Sequence, residues 1–258
     1  VMKIAAITIG SVFRLGDHVI GCGDSTDAAF VAKVLGKARP TLIFTDPPYG
    51  VDYVEGKDGF LKGKTRHATI LNDHAQSDDE YRIFTRKWLE AVRPFLAKKN
   101  TCYCFNSDRM IFALREGMQD AGWHFGQLIV WVKNQAILGR LDYMPQHELI
   151  AYCWHGAHAF QKSKDKSVLF YPRPTRSALH PTQKPIPLLR HLLLNSSRIG
   201  DSVYEPFLGS GSLLLACEQT KRRCIGIELD PKYCRVVIER FEKLTGIRAE
   251  TLSSPSHP

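Results

Sequence analysis

The sequence predicts an α/β fold, a mostly parallel sheet with helices on both faces. Three observations carry that expectation. Apolar runs of strand character alternate with longer segments of helical spacing along most of the chain. Many of the strand runs are apolar throughout, as strands covered on both faces are. A glycine turn, Gly209-Ser210-Gly211, separates a strand from a helix, and such a turn offers close backbone approach and unpaired helix amides.

The elements follow in order. Residues 18–22 are a strand and 28–35 a helix with apolar residues at helical spacing. Residues 41–45 form a short buried strand, stopped by Pro47-Pro48. Residues 51–76 are polar, glycine-bearing and without period, which predicts a loop. An amphipathic helix over 79–97, a strand over 101–105 and a helix over 108–121 come next, then strands at 125–132 and 148–154. The last third reads as a helix (187–197), a strand (202–205), a helix (212–220), a strand (223–228) and a helix (232–244). No repeat or long linker divides the chain, so 1–250 is expected to be a single domain, with 251–258 a disordered tail.

Composition narrows the class. With 258 residues, 44% hydrophobic and 24% charged, the chain is an ordinary globular one and neither collagen-like nor disordered. No apolar run reaches the ~18 residues of a membrane span, and the N-terminal stretch lacks a signal-peptide pattern. Seven cysteines, an odd count without a CxxC pair, favour a reducing compartment over a disulfide framework. A cytoplasmic location is expected, with the cysteines as small core residues. Cys153, His155 and His158 lie close in sequence, yet no fourth metal ligand is evident, so no metal is expected.

The formal charge is +9, and it is local. Residues 133–190 hold nine Lys/Arg against three Asp/Glu, whereas the other 200 residues are nearly neutral. That concentration predicts an anionic partner.

Two motifs sit where open α/β sheets place ligands, at the carboxyl ends of strands. In Glu205-Pro206-Phe207-Leu208-Gly209-Ser210-Gly211-Ser212 the third glycine of GxGxxG is absent, Leu214 standing there. Glu228 lies 19 residues beyond Gly209, near the spacing at which a carboxylate grips ribose hydroxyls. Together these suit an adenosine ligand without a pyrophosphate. In Thr45-Asp46-Pro47-Pro48-Tyr49-Gly50 the prolines fix φ and remove two amide donors, leaving stiffly held carbonyl acceptors beside the Asp46 carboxylate and the Tyr49 ring. Acceptors beside a stacking ring suit an exocyclic amino group on a planar heterocycle.

Together the TDPPYG and EPFLGSGS segments resemble those of the S-adenosylmethionine-dependent amino-methyltransferases of DNA, which act on adenine N6 or cytosine N4. The DPPY turn precedes the glycine turn, as in the β group of that family. Gly21-Cys22-Gly23-Asp24-Ser25, His180-Pro181-Thr182-Gln183-Lys184-Pro185 and Gly226-Ile227-Glu228-Leu229-Asp230-Pro231 resemble three further family segments. Glu205 departs from the usual Asp and Ser212 from the common Thr, both keeping the chemistry.

The resemblance implies a Rossmann-like methyltransferase with a circularly permuted motif order and a mostly parallel sheet of seven to eight strands. It implies site-specific methylation of duplex DNA at adenine N6, since Asp rather than Ser stands at position 46. The alternatives are N4-cytosine methylation and a catalytically silent DNA-binding module. Asp46, Pro47, Pro48 and Tyr49 would receive a flipped base. Asp24, Glu205, Phe207, Gly209, Gly211, Ser212 and Glu228 would shape the S-adenosylmethionine site, with Thr182 and Lys184 meeting the methionine carboxylate. The basic stretch, about 133–179, would be the target-recognition insert. Lys162, Lys164, Lys166, Arg173 and Arg176 there would contact phosphates, with Tyr171 and Trp154 interleaved. A nucleoid-associated protein and a possible homodimer follow from the same resemblance.

Overall fold

The computed structural model describes residues 6–48, 76–137, 142–162, 164–173 and 184–253. In chain order the elements are β1 (Val12–Leu15), β2 (His18–Cys22), α1 (Ala28–Leu35), β3 (Leu42–Thr45), α2 (Asp78–Val92), β4 (Lys99–Asn106) and α3 (Ile111–Asp120). Then come β5 (His124–Val132), β6 (His147–Trp154), β7 (Ala157–His158), β8 (Val168–Phe170) and α4 (Ile186–Ser196). The chain closes with β9 (Ser202–Glu205), α5 (Ser212–Gln219), β10 (Arg223–Glu228), α6 (Pro231–Thr245) and β11 (Glu250–Ser253).

Local chemistry sets the helix ends. Asp27 caps α1 by accepting from the amides of Ala29 and Phe30, and Ser77 and Glu80 form a reciprocal capping box on α2. The helix expected over 79–97 ends at Val92 and passes into a single 3-10 turn, because Pro94 has no amide to continue the ladder. Asp230 and Pro231 open α6, and Gly246, at φ +74°, closes it.

The sheet order is β11-β1-β2-β10-β9-β3-β4-β6-β5-β8, with β7 paired to the start of β4. Only β1 and β6 run against the other described strands. The seven strands read from sequence are all present. Among the described residues the sheet nevertheless has eleven strands rather than seven to eight: β7 and β8 span only two and three residues, and β1 and β11 form an antiparallel edge that no uniformly apolar run marks, Arg14 interrupting one and β11 being mostly exposed. Residues 251–253, expected in a disordered tail, instead pair with β1 as an edge strand; 254–258 lie outside the described residues. Helices α1, α2 and α3 pack on one face of the sheet through Val31, Trp88 and Leu114. Helices α4, α5 and α6 cover the other through Leu192, Leu214 and Phe241. All seven cysteines are buried and unbridged. Among the described residues no helix is long and apolar enough to cross a membrane.

Candidate active site

Parallel β2, β10, β9, β3 and β4 bring five carboxyl ends to one edge of the sheet. The chain leaves β3 toward β4 on one side and β9 toward β10 on the other, so the adjacent pair β3–β9 is the topological switch point. Ligands of open α/β sheets bind at such points. Asp46-Pro47 follows β3, the glycine turn follows β9, Glu228 ends β10, and Gly23-Asp24 follows β2. Two motifs more than 150 residues apart in sequence thus become neighbours.

On the glycine side, Glu228 holds the turn. Its Oε2 accepts from the Gly209 amide at 2.7 Å and its Oε1 from the Asp230 amide at 2.9 Å. Burial raises its pKa to about 7, the amide donors opposing that shift only in part. Gly211 has φ +79°, and a Cβ there would lie 3.0 Å from the Val237 methyls. The Ser212 hydroxyl next to it is buried with no hydrogen-bond partner among the described residues. Close backbone approach, an orphaned hydroxyl and a carboxylate already gathering donors fit a small adenosine-containing cofactor. Phe207 presents its ring over Phe84 and Trp88 of α2, with centroids 5.5 and 5.8 Å away. Glu205 is buried beneath the turn; burial pushes its carboxyl well above the ordinary range, against an opposing bond from the Phe207 amide. Asp24 is exposed and folds back to accept from the Thr26 amide and hydroxyl, both at 2.8 Å.

On the β3 side, Asp46 is partly buried, its side chain 23% exposed, and Pro47 is buried. Its Oδ2 accepts from Lys184 Nζ at 2.6 Å. The same ammonium lies 3.1 Å from Glu148 Oε2, and Glu148 Oε1 lies 2.7 Å from Lys133 Nζ. Burial alone would lower the Lys184 pKa, but the two carboxylates more than offset it and raise it. Burial likewise pushes Glu148 up, and the two lysines outweigh it and hold the carboxylate below its usual range. Sequence reasoning placed Lys184 beside a cofactor carboxylate and missed Lys133 and Glu148 altogether. A charged residue on either side of a hairpin loop is an ordinary pattern, and only the Trp131–Glu148 strand register brings these two together. Tyr49 and Thr182 lie outside the described residues, as does the expected loop 51–76 apart from Gln76.

The N6/N4 methyltransferase family model, described as DNA methylase, matches residues 41–239, which contain both sides of this edge. The chain belongs to the N6/N4 DNA methylase family. Type II methyltransferase M.HpaI of Haemophilus parainfluenzae is 30% identical over 243 residues, spanning 84% of this methylase and 73% of that protein. Type II methyltransferase M2.DpnII of Streptococcus pneumoniae is 24% identical over 241 residues, 81% and 86% of the two chains. Two solved structures share the fold. An M1.HpyAVI–SAM complex superposes with TM-score 0.63 at 22% identity, over 86% of this chain and 98% of that one. The PvuII DNA methyltransferase (cytosine-N4-specific) gives 0.70 at 14% identity, over 93% and 94%.

The described cations of this methylase's basic segment do not form one patch. Gln161 bonds to the carbonyl of Asn195, near the C-terminal end of α4, which places the neighbouring Lys162 toward the amino edge of the sheet. From there the segment climbs past Lys164 and Lys166, all three lysines exposed, to β8. It reaches the carboxyl edge only at Arg173, whose amide donates to Asn134 Oδ1 at 3.1 Å. Trp154 is at the amino edge too, stacked against His124 at 4.3 Å between centroids, and does not interleave with the described cations near the Asp46 turn. A latch holds the segment down. Asp165 accepts from His191 and Asn195 of α4, and Tyr171 pairs its hydroxyl with the other His191 nitrogen at 2.7 Å. Burial would raise Asp165, yet these bonds draw it down to about 2. Arg176 lies outside the described residues. Cys153 points into the core against Met118, and no group of three or more metal-binding side chains occurs among the described residues.

Proposed function

We propose that this DNA methylase transfers a methyl group from S-adenosylmethionine to the N6 amino group of adenine in duplex DNA. The observation that carries the reading is Asp46, held by Lys184 Nζ at 2.6 Å and set at the switch point one strand away from the glycine turn. S-adenosylmethionine, when bound, supplies an electrophilic methyl group. Glu228 would hold the ribose hydroxyls and Asp24 the adenine amino group, with Phe207, Gly209, Gly211 and Ser212 shaping the floor and Glu205 supporting it from beneath. Thr182 would meet the methionine carboxylate, while Lys184, expected there too, instead lies on Asp46 and Glu148.

The adenine amino group is a poor nucleophile because its lone pair is delocalised into the ring. Asp46 and the Pro47 carbonyl, accepting its two N–H bonds, would draw the nitrogen toward sp3 and free that lone pair. Asp46 would also offset the positive charge that develops on the nitrogen. Pro48 keeps the turn rigid, and Tyr49 would stack on the flipped base, a contact worth ~1–3 kcal/mol in comparable cases. Lys162, Lys164, Lys166, Arg173 and Arg176 would meet phosphates, Arg173 being the described one at the catalytic edge. Asp46→Ala is expected to abolish transfer of labelled methyl to DNA while cofactor affinity stays within about threefold, since Asp46 touches the substrate side only. Methyl transfer by that variant at the native rate would sink the reading.

A further inference from the structure

We propose that Glu148, backed by Lys133, is a positioning residue for methyl transfer, holding Lys184 between two carboxylates so that Asp46 presents an anionic face to the substrate amino group. The inference rests on the reading of Asp46 given above.

The geometry is a chain of four alternating charges leading away from the site: Asp46, Lys184, Glu148, Lys133, with successive contacts of 2.6, 3.1 and 2.7 Å. Lys184 is 7% exposed and Lys133 almost wholly buried, so water does little to screen them. Aromatic rings support both ammonium groups: Lys184 Nζ lies 5.0 Å from the Phe105 centroid and Lys133 Nζ 5.2 Å from that of Trp131. Strand order fixes the rest. Because β6 runs antiparallel to β4, its first residues reach the carboxyl edge beside the end of β4, two strands from β3, which puts Glu148 there; Lys133 follows β5 at the same edge.

A lysine facing Asp46 alone would make a neutral ion pair, and a dipole stabilises a developing cation less than a carboxylate does. Glu148 changes that balance. The set Asp46–Lys184–Glu148 sums to one negative charge, and the compensating Lys133 sits at the far end. The negative end therefore faces the nitrogen that becomes positive as the methyl group arrives. Lys184 still fixes the Asp46 rotamer, while an ionised carboxylate has acceptor capacity beyond one ammonium.

The test compares Glu148→Gln with the double variant Glu148→Gln/Lys133→Gln. Single-turnover methyl transfer is measured on methyl-free bacterial genomic DNA, alongside calorimetric affinity for S-adenosylmethionine. The single variant leaves two lysines against one carboxylate, and transfer is expected to slow at least about tenfold with cofactor affinity within about threefold. The double variant restores neutrality and is expected to recover at least about fivefold of that loss, although two buried contacts are gone. A merely structural role predicts no recovery. A smaller initial loss, a smaller recovery, or a rate loss matched by lost cofactor affinity each overturns the proposal. If the single variant does not fold, the double variant decides: a rate within about thirtyfold of native supports the proposal, and a slower one overturns it. Asp46→Ala run in parallel separates the two readings, because its survival as an active enzyme sinks both, whereas an inert Asp46→Ala beside an unaffected Glu148→Gln sinks only this one.

Discussion

Glu228 shows how one buried carboxylate connects packing with ligand chemistry. Burial moves its pKa to about 7, so near neutrality it is poised between acid and carboxylate. Only the carboxylate can accept from both hydroxyls of a ribose, so cofactor affinity is expected to weaken as pH falls below 7, by up to about tenfold per unit. Glu228→Gln should flatten that dependence in calorimetric titrations. The sign for stability is the opposite. The native state holds this proton more tightly than the unfolded chain, whose carboxyl titrates near 4.5, so this group's contribution to stability declines as pH rises between the two values. Lys184 is the second pivotal side chain. Lys184→Met removes the cation between two partly buried carboxylates, and equilibrium denaturation should report a loss of about 3–5 kcal/mol.

At the scale of elements, the helices that support the site depend on close contacts. Gly117 lets α3 approach α2: a Cβ there would meet the Arg82 carbonyl oxygen at 2.6 Å and the Thr85 side chain at 2.7 Å. The same crossing is bridged by Arg82, which donates to Asp120 at 2.6 and 2.9 Å and to Glu116 at 3.1 Å, an exposed network of modest value. Gly117→Ala should therefore cost about 1–3 kcal/mol in denaturant titrations through overpacking, whereas exposed-residue changes on α2 should cost far less. Because α2 carries the Phe84 and Trp88 rings against Phe207, the variant should weaken cofactor binding as well.

At the scale of the whole molecule, the described cations of residues 133–190 are spread from the amino to the carboxyl edge of the sheet. Duplex binding is expected to fall with salt, each phosphate neutralised adding about −0.9 to the log–log slope. Fluorescence anisotropy across a salt series should find that Arg173→Gln reduces the slope by about one such unit. Lys162→Gln, toward the opposite edge, should reduce it less. Equal effects would mean that the duplex runs along the whole segment rather than across the catalytic edge.

The sequence by itself determined the α/β class, seven of the strands, both turns at the carboxyl edge and the local excess of positive charge. These are legible because they are local: an apolar run, a proline pair or a glycine beside a helix start acts within a few residues. Only the tertiary structure decided which groups meet. That Lys184 pairs with Asp46 across 138 positions, that Glu148 and Lys133 stand behind it, and that Trp154 lies at the wrong edge all follow from strand order and direction. The edge strands β1 and β11 escaped notice for a related reason: Arg14 interrupts one and polar residues dominate the other, so only their pairing marks them as strands. Charges and ladder groups of this kind find partners by long-range pairing, and the chain's order does not encode pairings of that sort in any local signal.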